Sequence, residues 1–269
     1  MNAIITLSIG EKREFTNQSH YTFKRYAEKI GVDFLVYDDI VIPSEYSSIN
    51  CGRTDKAHKV YVKKIIAIHE TLKKYNRILY LDDSCYISED CPNLFSFVPE
   101  NFMAMHNEGA LEFIHGVWAE SNKSVMNNNL PFIPRRNYFN SGIILASSCH
   151  KDIFSSDFAA HETFRKLFEC NFVDQTYLNY IVNAQKIPYI TLGQLFSKMY
   201  VFNNNRVEYA DRNWHDIVNL VNTTHDFSFL NKDNTSPGKV NHAFIYHLTS
   251  MWSSKQRFEI FKKLSELNI

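Results

Sequence analysis

Nowhere does the 269-residue sequence contain a run of about 18 consecutive apolar residues, so no membrane-spanning helix is expected. The opening Ala3-Ile4-Ile5-Thr6-Leu7 is too short an apolar run for a secretory signal and lacks the basic flank and cleavage site that one needs. A soluble, cytoplasmic protein is the expectation. An excess of one charge is also missing, because Lys plus Arg and Asp plus Glu each number 29 and cancel. With no global field, nothing draws the chain to nucleic acid or anionic lipid. The five cysteines (Cys51, Cys85, Cys91, Cys149 and Cys170) are odd in number and never spaced as C-x-x-C. Neither a zinc site nor a disulfide framework is indicated, and they read as reduced thiols. A glycine-rich phosphate loop is absent as well: after the first apolar run only Gly10 precedes Glu11-Lys12-Arg13, which argues against a nucleotidyltransferase. No internal repeat or linker divides the chain.

What is present is aromatic weight and an alternation of strand and helix patterns. Aromatic residues make up 14% of the chain, enough for a large core and for stacking surfaces. Ala3 to Ser8 reads as a strand. Phe23, Tyr26, Ala27 and Ile30 then repeat at helical spacing up to a Gly31 stop, and Phe34 to Tyr37 is a second strand. This order opens a parallel sheet of the nucleotide-binding kind. Thr54 or Asp55 can cap a helix carrying Tyr61, Ile65, Ile68, Leu72 and Tyr75 on one face, followed by a buried strand from Arg77 to Leu81. Beyond it the pattern loosens. Phe102 to Met105 fits a strand, Asn127 to Pro134 a loop, Ile143 to Leu145 a strand, Asp174 to Ile181 a helix, and Phe258 to Leu267 an amphipathic helix.

Asp82 and Asp83 directly follow the last apolar residue of the Arg77–Leu81 strand, at the sheet edge where open α/β folds bind ligands. Paired carboxylates there suit a divalent cation that neutralises a departing diphosphate. The same pair equally suits a turn or a helix cap.

Four segments resemble, in order, the motifs of GT-A glycosyltransferases, particularly family 8, the group that includes glycogenin and bacterial galactosyltransferases. Ile78-Leu79-Tyr80-Leu81-Asp82-Asp83-Ser84 resembles the Asp-x-Asp strand. In one register Asp82 is the first acid and Ser84 replaces the second; in the other Asp83 is the principal metal ligand. Tyr138-Phe139-Asn140-Ser141-Gly142 looks like the Phe-Asn-x-Gly strand entry, where Gly lets the backbone approach closely and Asn140 bonds sugar hydroxyls. Asp174-Gln175 with Leu178 and Asn179 resembles an Asp-Gln-x-x-Leu-Asn helix start. By that likeness Asp174 bonds the donor sugar and Gln175 lies near its anomeric carbon, although an acid in a first helical turn is also a routine dipole partner. Tyr246-His247-Leu248-Thr249-Ser250 with Lys255 resembles a His-x-x-Gly and Lys element, with Ser250 in place of Gly. The likeness makes His247 a metal ligand and sets Lys255 on the diphosphate. Ile5-Thr6-Leu7-Ser8 matches the strand lining the base pocket, implicating Thr6 and Ser8, and Lys63 resembles a lysine that meets phosphate or donor sugar. From the residues alone, Lys63 is half of a solvated Lys63-Lys64 pair.

The resemblance implies a single GT-A domain over residues 1–269 with a mostly parallel central sheet flanked by helices, its nucleotide-binding half at about 1–100 and its donor-sugar and acceptor half at about 101–269. It implies a glycosyltransferase using Mn²⁺ or Mg²⁺ and a nucleoside-diphosphate sugar, by family a UDP-sugar, with a glycan or other hydroxyl acceptor. Retention of configuration is expected; an inverting enzyme would need a carboxylate base, for which Asp174 is the first candidate. The alternative is a catalytically silent nucleotide-sugar- or glycan-binding protein of the same fold, which Ser84 favours.

Overall fold

The computed structural model describes residues 1–10, 13–42, 44, 55–108, 114–155, 166–167, 173–192, 197–203, 206–209, 244–248 and 254–266. Strand β1 (Asn2–Leu7) leads into helix α1 (Glu14–Ile30), whose Phe15, Ser19, Thr22, Phe23, Tyr26 and Ala27 form one buried stripe. The helix ends where Gly31 adopts φ 71°, a left-handed conformation that glycine takes without strain, and Val32 N–H closes on the Ala27 carbonyl. Strand β2 (Asp33–Tyr37), helix α2 (Asp55–Leu72) and strand β3 (Arg77–Leu81) follow. Then come β4 (Cys85–Ile87), α3 (Leu94–Phe97), β5 (Met103–Asn107), α4 (Ile114–Asn127) and β6 (Phe139–Ser147). The remainder comprises α5 (Val173–Ala184), β7 (Tyr189–Leu192), β8 (Ser197–Asn203), β9 (Arg206–Tyr209), β10 (Ile245–Leu248) and α6 (Ser254–Glu266).

Six strands form the central sheet in the order β2-β1-β3-β6-β5-β7. All run in one direction except β6, which is antiparallel to both β3 and β5. The mostly parallel sheet expected from the sequence is therefore present with one reversed strand, whose direction periodicity could not reveal. Alternation along the strands splits the core. Ile5, Ile78, Tyr80, Ile144 and Ala146 pack with Ile65, Ile68, Tyr177 and Leu178 of α2 and α5. Ile4, Leu79, Leu81, Ile143 and Leu145 pack with Phe23, Tyr26 and Ala27 of α1. Cover on both faces explains why β3 and β6 are buried along their whole length without alternation.

A second sheet, in the order β4-β10-β8-β9, begins just past β3. Helix α4 was not legible in its polar sequence; it buries Ser121 and Asn122, and Asn122 is satisfied by the Ile133 backbone, taking its N–H at 2.7 Å and donating to its carbonyl at 3.1 Å. Among the described residues, no helix is long and apolar enough to cross a membrane.

Candidate active site

The carboxyl ends of β1, β3 and β5 meet the start of the reversed β6 at one edge of the central sheet. Asp82 N–H still donates to the Gly142 carbonyl at 2.8 Å, one residue beyond β3, and Cys85 N–H then closes a turn on the Asp82 carbonyl at 2.9 Å. That turn separates the two acids. The Asp82 carboxylate meets the Tyr80 hydroxyl at 2.7 Å, Lys64 Nζ at 3.2 Å and His247 Nε2 at 3.6 Å. Asp83 faces α1 instead: its carboxylate pairs with Arg13 and accepts from Ser8 Oγ at 3.3 Å, while its carbonyl accepts from Ser19 Oγ at 2.7 Å.

Lys64 is the electrostatic centre. Buried on α2, its ammonium lies 2.8 Å from Asp174 Oδ2, 3.2 Å from Asp82 Oδ1 and 3.3 Å from the Ser141 carbonyl. Burial alone would lower its pKa, but Asp174 and then Asp82 outweigh that and hold it above the ordinary lysine value. Asp82 shows the mirror effect. Burial raises it, yet Lys64, His247 and Tyr80 keep it below the usual carboxylate range. Burial, followed by the Asp82 charge, pushes the Tyr80 phenol well up.

Gly142 accounts for the small residue in the Asn-Ser-Gly segment. A Cβ there would stand 2.3 Å from His247 Cε1, 2.8 Å from Asp82 Oδ2 and 2.9 Å from Asn140 Oδ1. Only a missing side chain lets β6 pass this close to Asp82 and His247. His247 sits on β10 opposite Cys85 of β4, and its Nδ1 finds no hydrogen-bond partner among the described residues.

Beside this cluster lies an amide network. Gly142 N–H donates to Asn140 Oδ1 at 2.7 Å, and Asn140 Nδ2 donates to Glu108 Oε1 at 3.3 Å and to Gln175 Oε1 at 3.2 Å. Gln175 Nε2 donates to Glu108 Oε2 and to the Tyr138 hydroxyl, the latter at 3.3 Å. Burial pushes the Glu108 carboxyl up to about 7 against these amide donors.

The fold thus gathers Asp82, His247, Asn140, Asp174 and Gln175, residues 82 to 247 in the chain, around Gly142 and Lys64. Other expected residues fall elsewhere. Lys63 pairs with the exposed Asp39, and Lys255 is exposed in the first turn of α6. Thr6 is fully buried in β1, with no hydrogen-bond partner for its hydroxyl among the described residues. Ser84 is buried, and its carbonyl accepts from Leu248 N–H at 3.0 Å. Thr54, Ser250 and Leu267 lie outside the described residues. Among the described residues no three His, Cys, Asp or Glu side chains converge as a metal-binding group.

Sequence reasoning passed over Lys64 and Glu108. The signal for Lys64 was its place between Tyr61 and Ile68 on the apolar stripe of α2, where a lysine needs a buried partner. Glu108 directly follows β5, but its value depends on knowing that β5 runs parallel to β3. A bulge between Met105 and His106, where pairing jumps from Ile144 to Asn140, also turns the strand end.

A family model described as glycosyl transferase family 8 matches residues 16–236. The chain is similar in structure to a glycosyltransferase involved in glycosylation of the major capsid of PBCV-1, at 12% identity and TM-score 0.55 over 97% of this chain and 98% of that one. It is also similar to mouse xyloside xylosyltransferase 1, at 11% identity and TM-score 0.52 over 92% of this chain and 97% of that one. A third likeness is to the WbbM bifunctional glycosyltransferase, at 11% identity and TM-score 0.52 over 98% of this chain and 51% of that one. No curated protein matches the chain. At such identities the structural likeness establishes the fold, which is GT-A.

Proposed function

The chain belongs to glycosyl transferase family 8 and is a glycosyltransferase, and on that premise we propose that it moves a sugar from a nucleoside-diphosphate donor, by family a UDP-sugar, to a hydroxyl of a glycan or similar acceptor. The observation that carries this is the approach of Asp82, His247 and Asn140 to the missing side chain of Gly142 at the carboxyl edge of the sheet. In this reading residues 1–269 act as one catalytic domain. The same reading assigns Thr6 in β1 and Ser8 just past it to the nucleotide, and Asn140, Asp174 and Gln175 to the sugar.

A divalent cation, Mn²⁺ or Mg²⁺, fits Asp82 and His247. Asp82 Oδ2 and His247 Nε2 are 3.6 Å apart, a separation suited to two donors on one ion, and the glycine at 142 lets both side chains crowd against β6 there. Such ions take a few protein ligands and complete their shell with phosphate and water. Bound there, the ion would neutralise charge on the departing diphosphate. Asp83 would join only by leaving Arg13.

The remaining work falls to the protein's own side chains. Lys64 holds Asp174 and Asp82 in fixed positions, so the sugar meets a pre-set array of acceptors. Asp174 is engaged by an ammonium at 2.8 Å and is not presented as a free base, which favours retention. The acceptor hydroxyl then attacks on the side of the leaving diphosphate, whose oxygen takes its proton, and Gln175 and Asn140 position the sugar.

The test is a donor titration with and without chelator, followed by NMR reading of the product anomer. Chelator is expected to weaken UDP-sugar binding, and the product to keep the donor configuration. Equal affinity in both titrations would remove the cation, and an inverted product would remove retention.

A further inference from the structure

Glu108 is a buried carboxylate, only 4% exposed, and among the described residues no Lys or Arg pairs with it. Packing alone would favour a neutral residue there, since an unpaired buried charge is costly. Its two oxygens instead accept from the two side-chain amides, Asn140 and Gln175, that the proposed function places on the donor sugar.

We propose that ionised Glu108 is a positioning residue that anchors the Gln175 amide, and that its protonation releases Gln175 and switches off transfer. The inference rests on the role given to Gln175 above. The hydrogen-bond inventory carries it. Asn140 cannot turn, because Gly142 N–H donates to its Oδ1 at 2.7 Å, so its Nδ2 is fixed as a donor. Gln175 Oε1 accepts from that Nδ2 at 3.2 Å and, like any amide oxygen, keeps a second lone pair for a ligand. Gln175 Nε2 must therefore face Glu108, and a carboxylate accepts where a carboxylic acid would donate. A proton on Glu108 Oε2 sets donor against donor. A half-turn of the Gln175 amide gives no relief, because it would set its NH₂ against the fixed Asn140 Nδ2, so the amide leaves this position. The Tyr138 hydroxyl, 3.3 Å from Nε2, accepts from it but holds it less tightly than a carboxylate does.

Burial raises the Glu108 carboxyl to about 7, which sets this change within the working range of pH. The titratable neighbours on packed elements are His106 on β5, Tyr138 before β6, and Asp174 on α5, the last matched by Lys64 of α2. Burial pushes His106 down to about 3, so it stays neutral across the same range.

The experiment follows the side-chain NH₂ resonances of Gln175 by ¹⁵N NMR from pH 5.5 to 8.5, in the wild type and in Glu108→Gln, alongside turnover. In the wild type these resonances should shift with a midpoint near 7, and turnover should fall by about 10-fold or more as pH drops through it. Glu108→Gln should remove both transitions and leave Gln175 unanchored, with low turnover at every pH. Glu108→Asp should restore the pH-dependent limb. A Gln175 resonance that ignores pH in the wild type, or a Glu108→Gln variant that keeps the wild-type limb, would overturn the proposal. A wild type that titrates as described but turns over no nucleotide sugar would sink the transferase donor reading while leaving the switch in place.

Discussion

Replacing Asp174 by Asn separates a helix-start acid from a buried ion-pair partner. An acid serving only the first turn of α5 would cost at most about 1 kcal/mol when neutralised. The structure sets a larger figure. Asp174 is 2% exposed and its Oδ2 lies 2.8 Å from Lys64 Nζ, itself buried. Removing one partner of a buried pair costs about 3–5 kcal/mol when the other charge is stranded. Lys64 is only partly stranded here, because Asp82 Oδ1 at 3.2 Å and the Ser141 carbonyl at 3.3 Å remain. A loss of about 2–3 kcal/mol is expected, or roughly 4–5 °C in melting point for a chain of this size. Turnover measured well below that melting point should fall about 10²-fold, since a fixed acceptor is lost from the transition state. The assay is urea unfolding in a double-mutant cycle with Lys64→Met. In the Lys64→Met background the same substitution should cost less than about 1 kcal/mol. An Asp174→Asn cost below about 1 kcal/mol in the wild-type background, or the same cost with and without Lys64, would refute the buried-pair argument.

Gly142→Ala forces a methyl against His247 and Asp82, so unfolding should show a loss of about 1–3 kcal/mol and nucleotide-sugar binding should weaken; a variant with native affinity would show that the two side chains yield freely. Among the described residues Lys63 pairs with exposed Asp39, so Lys63→Ala should leave turnover near wild type; a large loss of turnover would place Lys63 back at the donor.

Strand and helix positions were read well wherever periodicity was strong. Arg77–Leu81 is β3 to the residue, and the Gly31 stop is where α1 ends. Helix α4 escaped because Ser121 and Asn122 occupy its buried face, and a polar core position looks like surface until its partner at Ile133 is known. The motif residues Asp82, Asn140, Asp174, Gln175 and His247 were also legible, since family order marks them without reference to geometry.

Side-chain direction was not legible, and direction decides chemistry. Adjacent residues in a turn or helix point far apart, so Asp82 joins Lys64 and His247 while Asp83 joins Arg13, and Lys64 enters the site while Lys63 leaves it. Glu108 became part of the site only through the reversed strand β6, which brings Asn140 to the end of β5, and through the bulge at Met105 and His106. Local pattern and motif order were enough to determine the family, the αβ layering and the sheet edge that carries the acids, because those follow from hydrophobic period and chain order. Only tertiary packing decided which carboxylates are paired, which amides are locked and where a side chain must be absent, because these depend on contacts among α2, β6, α5 and β10 that no local stretch of sequence contains.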